Sequence, residues 1–136
     1  MNPFFLVAAL MDLTAVVVHG YIGHRLFLTP LTPERLFPTR GFGDADTSRR
    51  IFIVSWHAVT AAFASSAVMM ALLASGAVAS RPAALFLSAM HAGFLVVGLV
   101  VTGRRIGRWI RRPRLIPLGF VIVMTTVALM GWLGSS

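Results

Sequence analysis

Residues 12–25 read DLTAVVVHGYIGHR, and how this stretch is read decides the fold. It places an aspartate and a histidine inside an apolar run, with a second histidine just past it. An apolar run tolerates ionisable groups only where something compensates them. The segment therefore holds either a site or only a packed interior.

The rest of the chain points to a membrane interior around it. Of 136 residues, 57% are hydrophobic and only 12% are charged, and the mean hydropathy is +0.85. A soluble domain of this length could not hide so much apolar surface. A bilayer-spanning helix needs about 20 predominantly apolar residues. Four stretches meet or approach that length: 3–21, 51–75, 83–103 and 115–133. The expected architecture is all-α, an integral membrane four-helix bundle forming one domain over 1–136. Between the first two spans lies a polar loop, 22–50.

The net charge is +8, and every basic residue is arginine. The arginines gather at the ends of apolar stretches, so anionic lipid headgroups are the expected counter-ions and nucleic acid is not. Arg25, Arg35, Arg40, Arg49 and Arg50 lie in the first loop. Arg104, Arg105, Arg108, Arg111, Arg112 and Arg114 lie in the third, and the second holds only Arg81. Eleven against one predicts both basic loops in the cytoplasm and both termini on the other side. A bacterial-type inner membrane is the expected location. There is no cysteine, which excludes disulfides, thiolate metal sites and thiol catalysis. No basic segment precedes the first apolar run, so a cleavable signal peptide is not expected.

Local punctuation supports the spans. Asp46 or Thr47 is expected to cap the second helix. "SRP" at 80–82 reads as a tight turn, and "LTPERLFP" at 31–38 as a short helix stopped by Pro38. Asp44 and Asp46 form a D-x-D pair, which reads as capping and solvation because two carboxylates fall short of a divalent-cation ligand set.

Asp12 and His19 are seven residues apart and share a helix face. The third span carries Ala84, Ser88, His91, Leu95, Gly98 and Thr102 on one stripe, and the second carries His57, Ala61, Ala64, Ser65 and Val68. At about 1.5 Å rise per residue, Asp12 and His91 lie roughly 14 and 12 Å from the outer edge. His19 and His57 lie roughly 3 to 9 Å from the cytoplasmic edge. Two polar levels are expected: Asp12 with His91, and His19 with His57. His24 would turn about 140° away from His19 on a continued α-helix, unless "GYIG" bends the chain.

An aspartate near mid-membrane costs about 2.5 to 3.5 kcal/mol, which is why such residues mark ligand or proton pathways. His19, His57 and His24 are candidate metal or haem b ligands, and Asp12 and His91 a candidate ligand or proton-relay pair. The arginines of 104–114 are candidate lipid-headgroup contacts. No phosphate loop, nucleophile elbow or paired catalytic carboxylates appear, so enzymatic function is not expected.

"MNPFFLVAALMD" resembles the start of small multidrug resistance transporters, four-helix membrane proteins with a functional acid in the first helix, here matched by Asp12. The long first loop, the arginine asymmetry and the histidines set the chain apart from them. The leading expectation is a non-enzymatic subunit or binding module holding a metal, haem or quinone-like ligand, within a homo-oligomer or larger complex. A proton-coupled transporter or channel using Asp12, or a purely structural subunit, are the alternatives.

Overall fold

A computed structural model describes residues 1–35, 43–103 and 116–134 of the chain. Among them there is no strand. Helix α1 spans Pro3–Ala15 and runs on through two π-helical segments, Val16–Ile22 and His24–Leu28. Helices α2 (Ala45–Ser75), α3 (Arg81–Gly103) and α4 (Ile116–Leu133) follow. Three stretches are long and apolar enough to cross a membrane: Pro3–Leu28, Ala45–Ser75 and Arg81–Val100. This makes the chain a membrane protein by length and composition. The arginines from 104 to 114 lie outside the described residues.

Two compact units emerge. One comprises Met1–Met11 and Ala67–Ser136; the other is Asp12–Ser66. In the first, Phe5, Ala8, Ala9, Met70, Leu73, Ala74, Ala84, Leu87 and Ala128 form a core of alternating large and small side chains. Small residues let backbones approach, which replaces the hydrophobic drive that lipid removes. Gly131 is one such place: a Cβ there would lie 2.6 Å from the Phe5 ring. Asn2 ties the same unit together. Its Oδ1 accepts from the Phe4 and Phe5 amides at the head of α1, while its Nδ2 donates to the Gly131 carbonyl at 3.2 Å. Its own amide donates to the Ala74 carbonyl near the end of α2.

Helix α3 packs on α4. Ser88 Oγ lies 2.9 Å from the Ala84 carbonyl and 3.1 Å from that of Ala128, so its one proton is shared between its own helix and the neighbour. Thr125 Oγ1 donates back across the pair to the His91 carbonyl at 3.2 Å. Ala84, Ser88 and His91 are all buried, as their shared stripe implies.

Element ends differ from expectation for local reasons. Helix α2 begins at Ala45, six residues before Ile51, because Asp44 is its cap: Oδ1 accepts the Thr47 amide at 2.7 Å. Neither Asp46 nor Thr47 fills that role; Asp46 instead pairs with Arg50 at 2.9 Å, one turn on. The cap holds the Asp44 carboxyl below its usual range, through the Thr47 amide first and the Thr47 hydroxyl second. Ser80 caps α3 by accepting the Ala83 amide at 3.3 Å. Only one short 3-10 turn, Pro33–Arg35, is described in the expected loop helix.

Helix α2 also buries a different face from the one its small residues suggest. His57, Ala61, Ser65 and Val68 are exposed, whereas Phe63, Ser66, Ala67, Met70, Leu73 and Ala74 are buried. The aromatic and methionine positions offer more contact area, and dispersion favours burying them.

Candidate functional site

The site lies within the unit Asp12–Ser66 and begins with a change of helical pitch. Val16, Val17 and Val18 are β-branched, and Gly20 and Gly23 follow; both residue types weaken an α-helix. Here the backbone adopts the wider i→i+5 pattern: the Gly23 amide donates to the Val18 carbonyl, and Thr29 to His24 at 2.9 Å. That wider turn leaves residues five apart much closer to a common face than α-helical pitch does. His24 is thereby returned to the face of His19, a result that the 3.6-residue period could not give.

The same two glycines admit the second helix. A Cβ on Gly20 would lie 2.7 Å from Thr60 Cγ2, and one on Gly23 would lie 2.6 Å from Trp56 Cζ2. With no side chain in the way, α2 presses against the π-helical backbone. Trp56 stacks on His19 with ring centroids 4.1 Å apart and planes 11° from parallel. Its Nε1–H donates to the His19 carbonyl at 2.9 Å. His19 Nδ1 is 2.9 Å from Thr60 Oγ1, and Phe63 meets the His19 ring edge-on at 6.1 Å. Phe27 and Phe52 each tilt against Trp56.

The imidazoles pair differently from expectation. His57 Nε2 meets His24 Nδ1 at 3.1 Å, one ring nitrogen donating and the other accepting, while His19 turns to Thr60 and Trp56. His57 is exposed and His24 half-buried, so this pair looks outward. It stands beside Arg25, whose guanidinium lies 5.7 Å over the Tyr21 ring and contacts its hydroxyl at 3.4 Å. Arg49 and Arg50 open the facing helix.

Trp56, whose place beside His57 reads as that of an interfacial anchor, and Thr60 join the site, and their spacing carries a readable signal. Phe52, Trp56, Thr60 and Phe63 recur at intervals of four, four and three, which is one helix face. Gly20 and Gly23, three apart, are the matching gap.

Asp12 is 0% exposed and His91 is 1% exposed. They fall in different units, Asp12 at the start of one and His91 within the other. His91 Nδ1 donates to the Leu87 carbonyl at 2.7 Å, which fixes that nitrogen as the protonated one.

Among the described residues, no three His, Asp or Glu side chains are grouped to hold a metal. A haem between the first two helices does not fit. Axial ligation needs two nitrogens on opposite sides of one iron, about 4 Å apart at bond lengths near 2 Å. His24 and His57 are 3.1 Å apart, and at Gly20 and Gly23 the helices touch, leaving no slot for a macrocycle. Comparison with protein-family models, curated proteins and solved structures finds no match for this chain.

Proposed function

We propose that this chain is a small polytopic membrane protein serving as a non-enzymatic subunit or binding module, with its ligand site at the His24–His57 pair. The observation that carries the reading is the convergence of three histidines on one short stretch of two helices, at the cost of ordinary α-helical pitch. Departures of this kind cluster at functional sites. His24 and His57 offer two neighbouring nitrogens to a ligand arriving from outside the helix pair. His19, Trp56 and Thr60 hold the backbone behind them. The ligand is a metal ion or a quinone-like molecule, either of which an outward imidazole pair can bind without a closed cavity. The arginine asymmetry supports four spans with both termini outside, in a bacterial-type inner membrane, with the pair at the cytoplasmic side beside anionic headgroups. A larger complex or homo-oligomer would cover the exposed face of α2.

The test is direct. Untagged protein purified in native lipid is assayed for bound metal by elemental analysis and for quinone by solvent extraction. A near-stoichiometric ligand that is lost in His57→Ala, with helicity unchanged, is the expected result. Absence of any ligand that depends on His57 contradicts the reading.

A second reading rests on Asp12, whose side chain is wholly buried in an apolar helix. There it would be the proton-carrying group of a small proton-coupled carrier. Proton-driven flux in proteoliposomes, abolished by Asp12→Asn, is the result that favours it.

A further inference from the structure

We infer that His24 Nδ1 and His57 Nε2 form a cis pair of nitrogen ligands for a divalent first-row transition metal ion, bound at the membrane surface with water in its remaining positions. This deepens the binding-module reading and rests on it.

Two imidazole nitrogens 3.1 Å apart can both reach one ion at bond lengths of about 2.0–2.1 Å. The angle they would subtend at that ion is then about 98°, between the tetrahedral and the right-angled arrangement. The rings are already tilted 34° to each other with centroids 5.2 Å apart. Turning the two nitrogens from each other onto a common ion calls on rotation about the histidine χ2, a soft torsion. Binding shifts the proton held between the rings to the other nitrogen of the same imidazole, so both rings ligate in the neutral form.

The surroundings set the ion class. The chain has no cysteine, so thiolate-demanding ions are not served. Carboxylate-rich calcium or magnesium coordination is not on offer either, since the site presents neutral nitrogens. Imidazole with water suits copper(II), nickel(II) and zinc(II), and copper(II) heads the affinity order for nitrogen donors. Because His57 is exposed, water reaches the ion without an entry channel. The π-helical segment then has a purpose: in α-helical pitch His24 would point away from His57, and the chelate would not exist.

The experiment uses copper(II) as the probe on untagged full-length protein in lipid nanodiscs, read by titration and by electron paramagnetic resonance. One ion per chain is expected, with hyperfine coupling to two imidazole nitrogens. His24→Ala and His57→Ala should each leave one coupled nitrogen and weaken binding roughly tenfold or more, as loss of a ligand does. The conservative variant His57→Gln should behave like His57→Ala, which separates a lost nitrogen from a lost fold. Wild-type protein that binds no copper(II), or a His24→Ala/His57→Ala double variant with an unchanged spectrum, overturns the assignment. If copper(II) fails but a quinone co-purifies and is lost in His57→Ala, the metal assignment falls and the binding module stands. If neither ligand depends on His57, both fall.

Discussion

Trp56 lies flat on His19 at 4.1 Å and at the same time donates its indole N–H to the His19 carbonyl. One side chain thus grips both the ring and the backbone of the residue at the centre of the π-helical segment. That double hold explains how a weakly helical stretch keeps a defined, unusual pitch.

Trp56→Phe should keep an aromatic face on His19 and lose the hydrogen bond, costing about 1 kcal/mol. Trp56→Ala should lose both, costing a further 0.5–1.5 kcal/mol or so for the ring pair. Thermal unfolding in a mild detergent, compared across the two variants, checks the order. A wild-type midpoint in Trp56→Phe would show that the indole N–H contributes nothing, and equal midpoints for the two variants would show the same of the ring.

Gly20→Ala and Gly23→Ala place a methyl group where Thr60 and the Trp56 ring now sit. The helices must separate, at roughly 1–3 kcal/mol each by the usual cost of overpacking. Gly23→Ala should be the worse of the two, because a stacked indole yields less readily than a threonine methyl. The readout is stability together with the tryptophan emission, which should shift as the His19 stack opens.

The first turn of α2 should loosen in acid. The Asp44 carboxyl is held below its usual value by the Thr47 amide, so its capping contribution is full above the ordinary aspartate range. It is lost as the pH falls through the lowered folded value. Protection of the Thr47 amide, measured against its intrinsic exchange rate at each pH, should fall there, and Asp44→Ala should lack that protection already at neutral pH. A Thr47 amide indifferent to both changes contradicts the cap.

Gly76 ends α2 with φ +81°, and a Cβ there would meet nothing within 4 Å. The cost of Gly76→Ala is therefore backbone strain alone, about 1–2 kcal/mol. Gly76→Asn should cost less, since asparagine tolerates the left-handed region. Chemical unfolding of the two variants tests the difference; if both are neutral, the turn is not specified by its glycine.

Much of this fold was legible, because bilayer thickness and apolar run length constrain each other tightly. Helices α3 and α4 fall close to their expected bounds, and the Ala84–Ser88–His91 stripe is buried as its spacing implied. The first two helices are longer than their apolar runs. Asp44 caps α2 from well inside the polar loop, and hydropathy carries no information about a cap. The small-residue face of α2 misled, since small side chains permit contact without demanding it. The histidine pairing is not legible for one physical reason: 3.6 residues per turn puts His24 away from His19, and the segment 16–28 does not keep that pitch. The valine triplet and the two glycines warn of weak α-helix, but only the packing of Trp56 and Thr60 fixes what replaces it.

The central claim is that π-helical pitch brings His24, and not His19, against His57. Nitrogen-15 correlation spectroscopy of the histidine side chains, on labelled protein in lipid bilayers, tests it most directly. The account expects a through-hydrogen-bond coupling between His24 Nδ1 and His57 Nε2 that disappears in His24→Ala and survives in His19→Ala. A coupling of His57 to His19 instead, or none from His57 to any imidazole, would contradict it.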